Sequence, residues 1–218
     1  KSDNGLFRVS NDSLTNINGR PENVQMINDY NGLTFWFSVI NPNTQKIADK
    51  LEKLNSNGYV SYRMYGLENS KVKESLASVK YYLRHDNEVF PNSYKLKERL
   101  DFYGEQWEVY ENQDVLPLCY AYDKDFYNTK FEKYYYDDNE VVIKEAARAE
   151  NIVYDNDSIT CDISLEEDSV VLLAIPFSDG WSVTIDDKTA KVYNSSIYYV
   201  AVDVAKGKHT LKYTYSAY

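Results

Sequence analysis

The residues of this sequence that could bind a metal or carry a proton are few and scattered. The motif Asp123-Lys124-Asp125 has the D-x-D spacing that holds a metal and a nucleotide sugar in some enzymes, and Asp155-Asn156-Asp157 resembles the start of a calcium loop. Calcium takes about six to eight oxygen ligands, and the second motif lacks the glycine and the distal glutamate that an EF-hand loop places at fixed offsets. Both motifs are therefore predicted to be turns, and no metal or cofactor is expected.

Residues and motifs that could support histidine- or serine-based catalysis are equally few. His85 lies in the charged stretch "RHDNE", and His209 lies in a turn before a strand pattern, so both are predicted at the surface. The sequence contains no G-x-S-x-G, no glycine-rich phosphate loop and no H-E-x-x-H. No catalytic residue is expected in this chain.

Cys119 and Cys161 are the only cysteines, and they show neither C-x-x-C nor metal-ligand spacing. Isolated cysteines on strands are most often buried as small hydrophobic side chains. Unbonded, buried thiols are therefore predicted, with a disulfide between the two as the alternative.

Charge and hydropathy limit the partners. Among 218 residues, 34 are acidic and 24 basic, a net charge of −10 that argues against nucleic acid, because phosphate binding depends on basic side chains. No stretch approaches the roughly 20 consecutive apolar residues needed to cross a bilayer, and Lys1 opens no signal-like segment. The chain is expected to be a soluble domain, of the kind excised from a longer protein.

The patterns predict an α+β fold in two parts. Residues 1–123 are interpreted as a mixed α/β half. One helix is predicted to begin after Asn41, and another is predicted to span Ser70–Ser78. The predicted strands of this half are 6–9, 33–40, 78–84, 107–111 and 116–122. Residues 124–218 are interpreted as an antiparallel β-sandwich of jelly-roll type, because short strands alternate with turn residues. "EVVIKE" at 140–145 is included among these strands.

Several stretches resemble segments of the YfhO family of bacterial polytopic membrane proteins. "LLAIPFSDGWSVTIDDKTAKV" and "SIYYVAVDVAKGKHTLKYTY" are similar to its final extracytoplasmic segment, although Asp187 stands where the family usually has glycine. Upstream, "NDYNGLTFWFSVINP", "LASVKYYL" and "VYENQDVLPLCYAYD" are similar to family segments in the same order. The resemblance extends from about residue 6 to residue 215.

This resemblance implies a function for a longer protein. YfhO proteins resemble membrane glycosyltransferases of the GT-C type, which take a sugar from a polyprenyl-phosphate carrier and decorate envelope polymers such as lipoteichoic acid. The resemblance implies that this segment faces the outside of the cell membrane beside the membrane helices of its own parent chain. Its expected role is non-catalytic: it shapes the outer vestibule or binds the acceptor glycan or lipid-linked sugar. A free-standing carbohydrate-binding module and a purely structural cap are the alternatives.

Aromatic and amide side chains supply the candidate ligand-binding residues. Trp181 is in phase with Val183 and Ile185 and is predicted to lie in the core, while Trp107 could be core or surface. Asn28, Tyr30, Asn31 and Trp36 surround the Asn31-Gly32 pair, and they offer hydrogen-bonding groups and a stacking face for a sugar. In the alternative interpretation, Asn31-Gly32 is a simple turn and Trp36 packs inside.

Overall fold

The computed structural model of the chain describes residues 7–10, 35–36, 42–51, 63–64, 67, 70–85, 93–102, 104–155 and 157–216. These residues form a mostly β structure with few short helices. The chain divides into two compact units, Phe7–Val115 and a second that begins at Leu116. The sheets are one mixed four-stranded sheet, two antiparallel five-stranded sheets and a two-stranded pair.

The first unit contains six described strands and two helices. They are β1 (Arg8–Ser10), β2 (Phe35–Trp36), α1 (Pro42–Leu51), β3 (Arg63–Met64), α2 (Lys71–Leu76), β4 (Val79–His85), β5 (Tyr94–Phe102) and β6 (Glu105–Asn112). The four-stranded sheet has the order β1-β4-β6-β5, with β1 and β4 parallel and the other pairs antiparallel. Strands β2 and β3 pair separately.

Both predicted helices of the first unit are confirmed. Helix α2 begins after Ser70, whose side chain accepts a hydrogen bond from the Lys73 backbone N–H at 3.1 Å, as a serine N-cap does. Strand β5 was missed, because its sequence "YKLKERLDF" is mostly charged and was interpreted as loop. It is an edge strand of this sheet, where charged side chains discourage pairing with other chains.

The second unit contains ten described strands and a helical segment. Its elements are β7 (Cys119–Asp123), α3 (Lys124–Phe126), a π-helical turn (Tyr127–Phe131), α4 (Glu132–Tyr136), α5 (Val141–Lys144), β8 (Ala147–Arg148), β9 (Glu150–Asp155), β10 (Ser158–Leu165), β11 (Ser169–Pro176), β12 (Trp181–Ile185), β13 (Lys188–Ala190), β14 (Val192–Asn194), β15 (Tyr199–Val204) and β16 (Gly207–Tyr215). Strand β7, placed at the end of the first half by the sequence, lies in a sheet of this unit.

The ten strands form two antiparallel sheets with the orders β13-β12-β16-β10-β9 and β14-β15-β11-β7-β8. Strand β11 has no hydrophobic alternation, and its residues Val170–Ala174 are each at most 2% exposed, as predicted for a strand covered on both faces. Strand β10 pairs with β16, and β11 pairs with β15. The pairing is therefore nested: along the sequence, the second pair lies between the two strands of the first. Together with the predicted turns, these strands confirm the β-rich character of this half.

The interpretation of residues 124–218 as strands throughout is wrong at their start, where the structure has a helical segment between Lys124 and Lys144. Asp123 caps a helical segment by accepting a hydrogen bond from the Phe126 backbone N–H at 2.8 Å. The π-helical turn separates Phe126 from Phe131 by five residues and so keeps both aromatic side chains buried beside Tyr122. "EVVIKE" forms the short helix α5 and not a strand. Its β-branched residues pack inward, and burial outweighs their strand propensity.

Trp181 is half-buried, whereas the sequence predicts a core position. Its ring lies 5.1 Å from the ring of Tyr215, centroid to centroid, near the ends of β12 and β16. Val183, on the same face of β12, is 1% exposed. The tryptophan therefore closes the edge of the core and does not occupy its centre.

In the part of the chain that the structure describes, no helix is both long and apolar enough to span a membrane.

Candidate functional site

The outer face of the sheet that contains β16 is polar across three neighbouring strands. Alternation places Cys161, Leu211 and Tyr213 inside and the residues between them outside. We call this outer surface the polar face. Its cross-strand pairs include Thr160 with Lys212, Asp162 with Thr210, Ser164 with Lys208, and Thr184 with Lys212.

Five polar residues of this region are joined by hydrogen bonds, and we call them the carboxylate network. Asp162 accepts from the Asn151 amide at 2.9 Å and from the Thr210 hydroxyl at 2.7 Å. Asp186 accepts from the Thr210 backbone N–H at 3.0 Å, and its other oxygen lies 2.7 Å from His209 Nδ1. Thr210 thus connects two carboxylates through its side chain and its backbone.

A β-bulge positions Asn151 in this network. The register between β9 and β10 shifts between Thr160 and Asp162, so β9 carries one extra residue there. Asn151 has φ of 50°, a left-handed conformation that asparagine tolerates better than most residues. The bulge directs its amide toward Asp162, in keeping with the tendency of bulges to re-aim side chains.

A tight hairpin turn positions Asp186. Asp186 and Asp187 have φ of 49° and 64°, so both central residues of the turn between β12 and β13 are left-handed, the type I′ geometry. Asp187 occupies a conformation in which glycine is usually preferred. Asp186 accepts a hydrogen bond from the Thr210 backbone N–H and donates its own backbone N–H to the Thr210 carbonyl oxygen, and both bonds hold this turn against β16.

His209 has acceptors on both sides of its ring. Nδ1 faces the Asp186 carboxylate, and Nε2 lies 3.0 Å from the Ala205 carbonyl oxygen. A carboxylate and a carbonyl only accept hydrogen bonds, so both contacts are satisfied together when both ring nitrogens carry hydrogen. These two contacts hold the ring in place. The side chain lies on the same side of β16 as the buried Leu211 and is only 16% exposed, so the predicted surface placement of His209 is confirmed only in part.

The network lies in a shallow depression of about 450 Å³, whose lining also includes Arg148, Glu150 and Lys208. A neighbouring depression of about 340 Å³ contains Asp186 and Thr210 as well, together with Lys212. The two depressions meet at Asp186 and Thr210, and we call them together the open groove. An open groove admits an extended chain more readily than an enclosed small molecule.

The chemistry of the two carboxylates favours binding. Hydrogen bonds from Asn151 and then Thr210 lower the pKa of Asp162. The hydrogen bond with His209, followed by the Thr210 backbone N–H, lowers the pKa of Asp186. Both groups are therefore ionised at neutral pH and can accept hydrogen bonds from hydroxyl groups. A glycosidase needs one carboxyl group of raised pKa as its proton donor, and this pair has the opposite tendency.

The ligand-binding residues predicted from the sequence are not members of the carboxylate network. Asn28, Tyr30 and Asn31 are outside the residues that the structure describes. Trp36 lies in β2 with its backbone paired to Arg63, and its side chain is not among those described. Their role in sugar binding stays a prediction.

The other motifs have structural roles where they are described. Asp123 is the N-cap of α3, and Asp155 ends β9 before the predicted turn. His85 ends β4, paired with Trp107 of β6, and the Trp107 side chain is half-buried. Among the described residues, no group of three or more histidine, cysteine or acidic side chains could hold a metal ion.

Part of the polar face follows from the sequence alone. The alternation in "TLKYTYSAY" predicts Thr210, Lys212 and Thr214 on one side of the last strand, opposite the buried Leu211 and Tyr213. Asp162 was missed, although the same alternation in "SITCDISL" puts it on the outer side. The link between Asp186 and Thr210 joins residues 24 positions apart, and no local pattern predicts it.

Comparison with known proteins gives two matches. A family model described as "Bacterial membrane protein YfhO" matches residues 1–154 and 141–218. The uncharacterized protein YfhO of Bacillus subtilis (strain 168) is 25% identical over 77 residues, which are 35% of this chain and 9% of that protein. The match thus spans less than a tenth of the relative's length. No solved structure shows a significant match to the chain.

Proposed function

Because the chain belongs to the YfhO family of bacterial membrane proteins, we propose that it is an extracytoplasmic domain of a membrane glycosyltransferase. The parent protein takes a sugar from a polyprenyl-phosphate carrier, by GT-C-type chemistry, and adds it to an envelope polymer such as lipoteichoic acid. The domain itself is non-catalytic. It binds the acceptor polymer and holds it near the membrane helices that carry the reaction.

The observation that carries this proposal is the carboxylate network in its open groove. Sugar and polyol hydroxyls are both donors and acceptors, and ionised carboxylates are strong acceptors for them. Asp162 and Asp186 are held in fixed positions by Asn151, Thr210 and His209. A ligand would therefore meet acceptors that are already ordered, and little conformational entropy would be lost on binding.

The charge pattern of the groove suits a polymer that carries both hydroxyl and anionic groups. Lys208 and Lys212 flank Thr210 along β16, and residues four apart on a strand are separated by about 13 Å. Their ammonium groups can contact anionic units, while Asp162 contacts hydroxyls between them. The overall charge of −10 opposes polyanion binding, so the affinity is expected to be modest.

Variants of the network test the role. Asp162→Ala should weaken binding of purified lipoteichoic acid to this chain by about tenfold or more, because a hydrogen bond to a charged group contributes about 1.5–3 kcal/mol. The same substitution should reduce polymer glycosylation by the full-length protein in cells. Glu166→Ala is the matched control, since it removes a carboxylate from an exposed bend that lines neither depression.

The outcomes separate the rival functions. Equal affinity of Asp162→Ala and the unchanged chain would contradict the acceptor role of the network. Binding that persists in the isolated chain, with no effect of the substitution on glycosylation in cells, would support a carbohydrate-binding module. No binding at all and full glycosylation by every variant would support a structural cap.

Two finer points belong to the same proposal. The nested pairing of β10 with β16 and β11 with β15 supports a jelly-roll-like description of the second unit. The segment with Asn28, Tyr30, Asn31 and Trp36 is a second acceptor contact in this proposal. Tyr30→Ala and Asn31→Ala should then lower glycosylation by the full-length protein without changing the melting temperature, and unchanged glycosylation would remove this segment from the proposal.

A further inference from the structure

The two cysteines come together in the core of the second unit. Cys119 lies on β7 of one sheet and Cys161 on β10 of the other, and both are 0% exposed. The two strands that carry them, β7 and β10, contact each other across the interface between the sheets, and the interaction between the two thiols is the first cause that raises the pKa of Cys119. Both are free thiols in this structure, which confirms the prediction of buried, unbonded cysteines.

The surroundings fix the positions of both sulfur atoms. Cys119 pairs with Leu173 of the fully buried strand β11, and Cys161 pairs with Leu211 of the central strand β16. A disulfide needs Cα atoms within about 7 Å and side chains that point toward each other. Both cysteine side chains are 0% exposed and lie in the core between the facing strands β7 and β10.

We propose that Cys119 and Cys161 form an inter-sheet disulfide when the chain folds under oxidising conditions. In the reaction each thiol loses one hydrogen and a sulfur–sulfur bond forms. A small-molecule or protein disulfide is the oxidant, and it is reduced to two thiols. This goes beyond the proposed function and takes from it only the extracytoplasmic location, where such oxidants act.

The timing follows from the burial of the pair. The hydrogen bond between the thiols and then their burial raise the pKa of Cys119, so the folded core contains little of the reactive thiolate. Exchange with an oxidant therefore takes place while the sheets assemble, and afterwards the core protects the bond from reductants. The bond would close a loop that contains the whole helical segment, β8, β9 and the start of β10, and it would restrict the unfolded chain.

Refolding of the 218-residue chain in a buffer of reduced and oxidised glutathione tests the proposal. The refolded chain is then denatured, treated with an alkylating reagent and digested, and peptides are identified by mass spectrometry. The expected result is a cross-linked peptide pair that contains Cys119 and Cys161. The cross-linked chain should melt about 10 °C above the chain refolded with a reductant.

The outcomes decide the proposal directly. Two alkylated cysteines, glutathione adducts or disulfide-linked dimers as the main product would overturn it. So would a cross-linked chain that melts no higher than the reduced chain. Cys119→Ala with Cys161→Ala is the control, and its melting temperature should be the same in both buffers. Because the buffer supplies the oxidant, failure here would not bear on glycan binding, which is measured separately.

Discussion

Replacement of Trp181 by alanine should destabilise the second unit by about 2–4 kcal/mol. Truncation of a fully buried tryptophan costs about 3–5 kcal/mol, and this side chain is only half-buried, so roughly half of that cost applies. Loss of the ring contact with Tyr215 adds about 0.5–1.5 kcal/mol. For a chain of this size, the melting temperature should fall by about 5–10 °C.

A double-mutant cycle with Tyr215→Ala isolates the ring contact. Tyr215 is 39% exposed, so its truncation alone should cost less than that of Trp181. Free energies of unfolding would be measured by urea titration, with circular dichroism as the probe, for the two single variants and the double variant. Tyr215→Phe is the matched control, since it keeps the ring and removes only the hydroxyl group.

The coupling energy decides whether the packing argument holds. We expect the two substitutions to be non-additive by about 0.5–1.5 kcal/mol, and Tyr215→Phe to leave stability almost unchanged. Additive effects would show that the rings do not stabilise each other. An unchanged melting temperature for Trp181→Ala would show that the side chain does not close the core at all.

Three further substitutions test individual interactions. Tyr122→Phe removes the hydroxyl that donates a hydrogen bond to the buried Val142 carbonyl oxygen at 2.7 Å. The free energy of unfolding, measured by urea titration, should therefore fall by about 1–3 kcal/mol. An unchanged free energy of unfolding would contradict the hydrogen bond. Asp123→Ala removes the cap of the helical segment and should lower the melting temperature by an amount equivalent to about 0.5–2 kcal/mol, whereas Asp123→Asn, which can still cap, should restore most of it. Asp186 has a lowered pKa in the folded chain, so its contribution to stability is present above its ordinary pKa of 3.8 and is lost as the pH falls through the folded value. Asp186→Asn should therefore flatten this acid limb in urea titrations at a series of pH values, and an unchanged limb would contradict the assignment.

Strand positions were largely predictable from the sequence, because alternation and turn residues are local signals. The strands from Ser169 to Tyr215 follow the predicted order, and the left-handed pair Asp186-Asp187 forms the expected hairpin. The prediction was wrong for two elements, and each error has a physical reason. Strand β5 is a charged edge strand without a clear apolar side, and the helical segment after Asp123 is stabilised by aromatic packing that its own sequence does not reveal.

The candidate site was predictable only in part. Alternation identifies which side chains of β10 and β16 face outward, but it does not show that Asp162 and Asp186 meet at Thr210. That arrangement depends on the order of strands in the sheet and on the bulge at Asn151. The pairing of Cys119 with Cys161 depends in the same way on two sheets packing face to face.

The position of β16 has a consequence for how the second unit folds. This last strand lies between β12 and β10, so it supplies both neighbours with hydrogen bonds and contributes Leu211 and Tyr213 to the core. Until β16 has been synthesised, β10 and β12 have no partner on that side, and their unpaired edges are exposed to other chains. Contacts between residues so distant along the chain make folding slow. A chaperone that binds strand edges is therefore expected to raise the yield of the folded chain.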